Sequence, residues 1–261
     1  VCVLLVVSLL STPASAQIVE KEVAYSSGDT LMKGFLAYDD SVEGKRPGVL
    51  VVHEWWGHND YARTRAKNLA ELGYTALAVD MYGDGKTADH PDKAGELSGS
   101  VMSNLDEDEE SFKAGMEFLK GQDNVNPDEI AAIGYCFGGA VVLNMALRGV
   151  DLEGVASYHG ILPQEAPENA EPTAEILVFH GGDDPFVPRE QLDKFKTVME
   201  ETDAEYTIVV YPGVKHSFTN PGADEYGKKF ELPLEYDKDA DEKSWAQTEE
   251  FLNRIFQPEN N

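Results

Sequence analysis

The sequence is poor in cysteine and in basic residues. Its 261 residues include two cysteines, and 21 Lys and Arg stand against 48 Asp and Glu, which gives a formal net charge of −27. Affinity for nucleic acids and for anionic membrane surfaces comes largely from Lys and Arg. The charge therefore argues against DNA, RNA or such membranes as partners.

The sequence also has no internal repeat, no Pro- or Gly-rich linker long enough to separate two domains, and no apolar run long enough to cross a bilayer. Its composition is 42% hydrophobic and 26% charged, as in ordinary globular proteins. A mainly disordered, collagen-like or coiled-coil protein is thereby excluded. We expect a single folded domain over residues 17–261.

The first sixteen residues are similar to a secretory signal peptide. Residues 1–10 are apolar apart from Ser8, and the small residues 14–16 form a cleavage site before Gln17. The chain begins without Met or a basic segment, so we expect a signal peptide over 1–16 that is truncated at its start. This predicts an exported protein, periplasmic or extracellular. The alternative is that the apolar run forms a buried N-terminal strand.

Signal cleavage removes Cys2 and leaves Cys136 as the single cysteine. An exported protein with one cysteine has no internal disulfide. Its thiol is then either buried and inert or used in chemistry. The residues around Cys136 distinguish these two possibilities.

Strand patterns alternate with helix patterns along the chain. Strands are predicted at 19–25, 30–38, 48–53, 74–79, 130–135, 154–158, 176–180 and 206–211. Helices are predicted at 61–72, 106–121, 139–147, 189–201 and 244–256. We expect residues 83–99 to be irregular and the acidic run 106–110 to be a solvated helix start. The alternation predicts an α/β fold, with a mostly parallel central sheet covered by helices on both faces.

The sharpest motif surrounds Cys136. Residues 134–139 read Gly-Tyr-Cys-Phe-Gly-Gly and lie between a predicted strand and a predicted helix. This is the pattern of a nucleophile on a tight strand-to-helix turn, where glycines let two chain segments approach closely. The helix N-terminus favours a thiolate, and the Phe137 N–H can face an oxyanion. The alternative is a buried core cysteine beside a pair of packing glycines.

A cysteine nucleophile needs a base, and the base needs an orienting acid. On this type of turn the chain order is nucleophile, acid, histidine. Asp183 or Asp184, just after the strand 176–180, can be the acid, and we prefer Asp184. His216 is the only one of six histidines that follows Asp184. It lies in a loop past a strand, where α/β folds place catalytic groups, so we predict that it is the base.

A second group of candidates follows the first buried strand. There this fold supplies the second oxyanion donor, for which the Trp55 N–H is the candidate. Glu54, at the same rim, can hold or deprotonate the thiol. A zinc site at His53 and His58 is disfavoured, because His-Glu-x-x-His needs histidines four apart on a helix and these are five apart across Gly57. We expect no metal and no organic cofactor.

Together, these motifs resemble the dienelactone hydrolase family of α/β hydrolases, over roughly residues 20–256. The resemblance rests on residues 54–57, 134–139, 181–188 and 213–218. It implies an α/β-hydrolase fold and an active site in which a glutamate contacts the resting thiol and helps to activate it. The residues it implies are Cys136 as nucleophile, Asp184 as acid, His216 as base, Glu54 as that glutamate, and Phe137 and Trp55 as oxyanion donors.

Two positions depart from the family pattern. Members that act on dienelactone carry arginines that clamp the substrate carboxylate, and Asp84 and Asn220 stand in the corresponding segments here. A carboxylate therefore meets no forked cation, and we expect a neutral, partly apolar ester or lactone. The aromatic residues that flank the motifs are the candidate pocket lining: Trp56, Tyr82, Tyr135, Phe186 and Phe218.

The sequence thus predicts a hydrolase that cleaves a small carboxylic ester or lactone through a Cys-His-Asp triad and a covalent thioester. One alternative is a thioesterase or acyl-ester hydrolase. Another is a non-catalytic binding module on the same fold, with Cys136 as a packed thiol, although such a module has no need of all three triad residues. A thiol redox protein is disfavoured because it normally uses a resolving cysteine.

Overall fold

A computed structural model describes residues 17–257 of the chain. The expected signal peptide over 1–16 lies outside the described residues and stays a prediction. Among the helices within 17–257, none combines the length and the apolar character needed to cross a membrane.

The described residues form eight strands, all in one sheet. In chain order they are β1 (Ile18–Ser27), β2 (Thr30–Asp39), β3 (Arg46–Val52), β4 (Thr75–Val79), β5 (Val125–Tyr135), β6 (Gly154–Tyr158), β7 (Glu175–Gly181) and β8 (Tyr206–Tyr211). Their order in the sheet is β1-β2-β4-β3-β5-β6-β7-β8. β2 runs antiparallel to both of its neighbours, β1 and β4. The other neighbouring strands, from β4 through β3 to β8 in the sheet order, are all parallel to each other. The expected mostly parallel sheet is confirmed.

Helices cover both faces of this sheet, as predicted. The helices are α1 (Asp60–Glu71), α2 (Pro91–Met102), α3 (Leu105–Lys120), α4 (Phe137–Leu147), α5 (Arg189–Glu201), α6 (Ala223–Phe230) and α7 (Lys238–Phe256). α1 and α7 enclose one apolar layer, while α3, α4 and α5 enclose the other. The central strands are buried on both sides, which explains continuous apolar runs such as residues 49–52.

Residues 83–99 are not irregular throughout, contrary to our expectation, because α2 begins within them at Pro91. Proline at the first helical position loses no hydrogen bond, and the His90 ring accepts the Asp92 N–H at 3.2 Å as a cap. Two glycines and several polar residues weaken the apolar pattern of this helix, so its periodicity is hard to read. The short helix α6 is also absent from the sequence prediction.

The acidic run 106–110 begins a helix as expected, but one of its carboxyl groups is not solvated. Asp108 is 2% exposed, and neither of its carboxylate oxygens has a hydrogen-bond partner among the described residues. Burial raises the pKa of Asp108 to about 7, with Arg148 opposing the rise and Glu109 adding to it. The helical repeat carries Asp108 inward together with Phe112.

Candidate active site

Cys136 stands on a strained turn between β5 and α4. Its backbone has φ 54° and ψ −112°, a conformation that L residues rarely adopt. A Cβ on Gly134 would lie 2.0 Å from the Gly138 carbonyl oxygen, and a Cβ on Gly138 would lie 2.3 Å from that of Val52. The glycine at each side of the cysteine is therefore a steric requirement of this turn.

The same turn is joined to the end of β3. The Gly138 N–H donates to the His53 carbonyl at 3.1 Å, which sets the start of α4 beside the segment that follows β3. Phe137 is the first residue of α4, so its N–H has no partner inside the helix. Within residues 17–257 the Trp55 N–H has no backbone acceptor either. Both residues border the cavity that contains Cys136, an arrangement suited to two oxyanion donors.

His216 lies in the loop after β8, and Asp184 lies in the loop after β7. The distance between His216 Nδ1 and Asp184 Oδ2 is 2.7 Å, and both side chains are buried. The other Asp184 oxygen accepts the Phe186 N–H at 2.8 Å, which orients the carboxylate. The neighbouring Asp183 is exposed, so the structure places Asp184 rather than Asp183 against the imidazole.

Cys136 and His216 border the same cavity. Burial lowers the pKa of His216, but the charge of Cys136 and the hydrogen bond that the ring donates to Asp184 outweigh burial and raise it to about 10. A protonated His216 at this position is what the ionic form of a cysteine nucleophile requires of its partner. Cys136 is partly exposed, so a substrate can reach its sulfur.

Glu54 is buried and accepts hydrogen bonds from the loop that follows His216. Ser217 Oγ donates to Oε1 at 3.0 Å, and Asn220 Nδ2 donates to Oε2 at 2.5 Å. Burial raises the pKa of Glu54, while the Asn220 and Ser217 donors and the charge of His216 oppose the rise. Glu54 thus anchors the loop that carries His216. Its contact with the resting Cys136 thiol stays a prediction.

A buried polar network behind His216 is absent from the sequence prediction. The fully buried His159 has φ 40°, and its Nε2 lies 2.7 Å from Thr219 Oγ1. The Tyr61 hydroxyl lies 2.6 Å from the same oxygen. The Arg65 guanidinium donates to the Thr219 carbonyl at 2.6 Å. Thr219, three residues after His216, therefore connects its own loop to α1 and to the segment that follows β6.

The His159 ring stands edge-on to that of His216, with centroids 5.2 Å apart. Burial holds the pKa of His159 well below its usual range, and the charges of His216 and Arg65 lower it further. A neutral His159 does not repel an imidazolium at His216. The available sequence signals were weak, because a histidine after a buried strand and an arginine on a helix each have many ordinary explanations.

A cavity of about 350 Å³ opens over Cys136, a volume at the lower end of the range for small-molecule sites. The described residues that line it include no Lys, Arg, Asp or Glu. The walls come from α2, α4 and the loops after β3, β6, β7, β8 and α6. The lining residues are Trp55, Gly95, Ser98, Gly99, Met102, Cys136, Phe137, Ala140, Ile161, Phe186, His216 and Leu234.

The structure corrects the expected pocket lining. Of the five aromatic candidates, Phe186 borders the cavity and the other four are buried in packing contacts. Trp56 packs on α6, Tyr82 on the start of α4, Tyr135 on β6 and α1, and Phe218 on the end of β8. Nearness to a motif in sequence does not determine on which side of the chain a ring packs. The wall formed by α2 has no counterpart among the predicted residues.

The two positions that depart from the family pattern supply no cation to the cavity. Asp84 is exposed and lies 3.8 Å from Lys86 Nζ, while Asn220 is bonded to Glu54. Neither position borders the cavity. The geometry therefore agrees with a site that does not clamp a substrate carboxylate.

Comparisons of sequence and of structure both find known proteins that are similar to this chain. The model of the dienelactone hydrolase family matches residues 32–256. A putative carboxymethylenebutenolidase from Saccharolobus solfataricus is 26% identical, over 90% of this chain and 99% of that protein. The crystal structure of a dienelactone hydrolase-like promiscuous phosphotriesterase from metagenomic libraries is 32% identical, with a TM-score of 0.87, over 93% of this chain and all of that one.

A structure with much lower sequence identity has the same fold. An α/β hydrolase from a deep-sea metagenome is 16% identical with a TM-score of 0.65, and the match covers 91% of this chain and 98% of that one. At this identity the likeness concerns the fold alone. The α/β-hydrolase fold expected from the sequence is confirmed.

Proposed function

This chain belongs to the dienelactone hydrolase family, and from that membership and the site geometry we propose that it cleaves a carboxylic ester or lactone through a covalent thioester on Cys136. The observation that carries the proposal is the 2.7 Å contact of His216 with Asp184, at the wall of the cavity that exposes Cys136. Nucleophile, base and orienting acid are then adjacent, in the order this chemistry requires.

In the first half of the reaction, the Cys136 thiolate attacks the carbonyl carbon and forms a C–S bond. The carbonyl electron pair moves to oxygen, where the Phe137 and Trp55 N–H groups donate to it. Collapse of this intermediate breaks the bond to the alcohol oxygen. The imidazolium of His216 gives its proton to that leaving oxygen, so the acyl group remains on sulfur as a thioester.

In the second half, neutral His216 takes a proton from water as the water oxygen attacks the thioester carbonyl. Breaking the C–S bond releases the carboxylic acid and returns Cys136 as a thiolate beside an imidazolium. Asp184 keeps a proton on Nδ1 in both halves, so that Nε2 faces the sulfur and the water. Atoms and protons balance without a further group.

The test is hydrolysis of p-nitrophenyl acetate by the purified protein, before and after iodoacetamide, with Cys136→Ala in parallel. We expect turnover to disappear after alkylation and in the variant, with the adduct found on Cys136 by mass spectrometry. Asp183→Asn is the control, because this exposed carboxylate should leave turnover unchanged. Full turnover in Cys136→Ala would contradict the proposal.

The same assay separates the alternatives. No turnover together with a thiol that iodoacetamide does not modify would favour a binding module. Matched thioesters and oxygen esters of one acyl group distinguish a thioesterase, which would prefer the thioester by a large factor.

A further inference from the structure

We propose that the α2 side of the cavity is a subsite for an apolar chain of the substrate, so that the enzyme selects neutral esters with an apolar group larger than acetyl. This inference rests on the proposed function, since it assigns a substrate class to the same site. Three observations carry it: the recessed face of α2, the apolar residues that border the cavity, and the lack of Lys, Arg, Asp and Glu among its described lining residues.

One face of α2 borders the cavity. Gly95, Ser98, Gly99 and Met102 all line it, and their spacing places them on the same side of the helix. Because Gly95 and Gly99 carry no side chain, this face is recessed at both positions.

Neither glycine of α2 is explained by the fold. Both lie inside the helix, without the positive φ that would call for glycine, and a Cβ at either position would have no atom within 4 Å. Gly138 differs, because a Cβ there would collide with β3. Glycine destabilises a helix interior relative to alanine. The space that Gly95 and Gly99 leave open therefore belongs to the cavity and not to the packing of the helix.

Apolar side chains that face water border the same cavity. Ile161 is 43% exposed and Phe186 is 38% exposed, and both line the cavity over Cys136. Exposed apolar residues that converge on one cavity mark a ligand or partner site more often than scattered ones do. An apolar chain lying against them would remove them from water. A carboxylate in the same position would lose its hydration without gaining a Lys or Arg partner.

The experiment measures kcat/KM for two series of esters. One series lengthens the acyl group, from p-nitrophenyl acetate to the butanoate, hexanoate and octanoate. The other lengthens the alcohol, from ethyl to butyl and hexyl acetate. The variants are Gly95→Leu and Gly99→Leu, which fill the recess, and Ser100→Leu, which adds the same side chain to an exposed residue of α2 that does not border the cavity.

In the wild type we expect kcat/KM to rise about fourfold for each added methylene in one of the two series, up to the length that the cavity holds. That series shows whether the subsite takes the acyl or the alcohol chain. The ratio of kcat/KM for the long ester to that for acetate should fall about tenfold or more in Gly99→Leu and Gly95→Leu, and it should be unchanged in Ser100→Leu. kcat/KM should also be higher for p-nitrophenyl hexanoate than for the p-nitrophenyl monoester of adipate, which carries a second, charged carboxylate.

Leucine favours helix more than glycine does, so both variants should melt no lower than the wild type, which excludes misfolding as the cause. A kcat/KM that does not depend on chain length in either series would overturn the inference, as would an unaltered ratio in the two glycine variants. If no ester is turned over in a Cys136-dependent way, the proposed function fails instead, and this inference fails with it.

Discussion

Asn220 donates a hydrogen bond of 2.5 Å from Nδ2 to Oε2 of Glu54. This neutral amide stands at one of the two positions where the sequence departs from the family pattern. It satisfies a buried carboxylate without supplying a charge, and the pKa of Glu54 remains raised by burial against the effect of this donor. The ionisation of Glu54 is therefore sensitive to its hydrogen-bond partners.

Replacing Asn220 by leucine should raise the pKa of Glu54 further, because a donor that stabilises the carboxylate is lost. A hydrogen bond to a charged group contributes about 1.5–3 kcal/mol, which corresponds to about one to two pH units. If the reaction needs ionised Glu54, the acid limb of kcat/KM should move to higher pH by that amount. Ser217→Ala should shift it in the same direction, and an acid limb that stays in place in both variants would separate Glu54 from the chemistry.

Asp184→Asn should lower kcat/KM by about a thousandfold or more, since an amide does not keep the proton on His216 Nδ1. Asp183→Asn is the matched control, because it makes the same change at an exposed neighbour and should leave kcat/KM within about twofold of the wild type. Steady-state kinetics on one ester measures both. Equal losses in the two variants would mean that the acid of the triad is assigned wrongly.

The His216 ring should stay protonated well above neutral pH. Burial lowers its pKa, but Cys136 and Asp184 raise it to about 10, and Cys136→Ala should move its midpoint down because one of the groups that raise it is removed. Folding favours the protonated form, so this contribution to stability is complete below about pH 6.5 and is lost as the pH approaches 10. NMR titration of the ring protons measures the midpoint, and an identical midpoint in the variant would refute this coupling.

Gly138→Ala should destabilise the protein by about 3 kcal/mol or more, because its Cβ would lie 2.3 Å from the Val52 carbonyl oxygen. Gly95→Ala is the control: the same substitution in an open helical position should stabilise by up to about 1 kcal/mol. Urea unfolding gives both free energies. A tolerated alanine at 138 would show that the turn can relax away from β3.

Asp108→Asn should stabilise the protein above pH 7. Burial raises the pKa of Asp108 to about 7 from its usual value near 3.8, so the wild type loses stability as the pH rises through this interval and the unfolded chain ionises first. The gain should be on the order of a few kcal/mol at pH 8 and should vanish near pH 4. Glu107→Gln, at an exposed position one residue earlier, is the control, and urea unfolding at pH 8 should give a free energy within about 0.5 kcal/mol of the wild type.

Several parts of the site could be predicted because they depend on local sequence. The turn at Cys136 needs glycine at two set positions, and that steric requirement is visible in the spacing alone. The buried strands can be recognised in the sequence as continuous apolar runs. For α2 the local signals conflict, since its two glycines weaken the helical pattern while Pro91 and His90 begin a helix correctly.

The sequence by itself therefore determined the class of fold and the family, and it supplied the candidates for nucleophile, acid and base, because each depends on short-range spacing or on order along the chain. The tertiary structure decided which side chains and which elements are in contact. It placed Asp184 instead of Asp183 on His216, packed four aromatic candidates into the core, joined Thr219 to His159 and Arg65, and brought α2 over Cys136. These are contacts between segments distant in the chain, and their geometry follows from how helices and loops pack around the sheet.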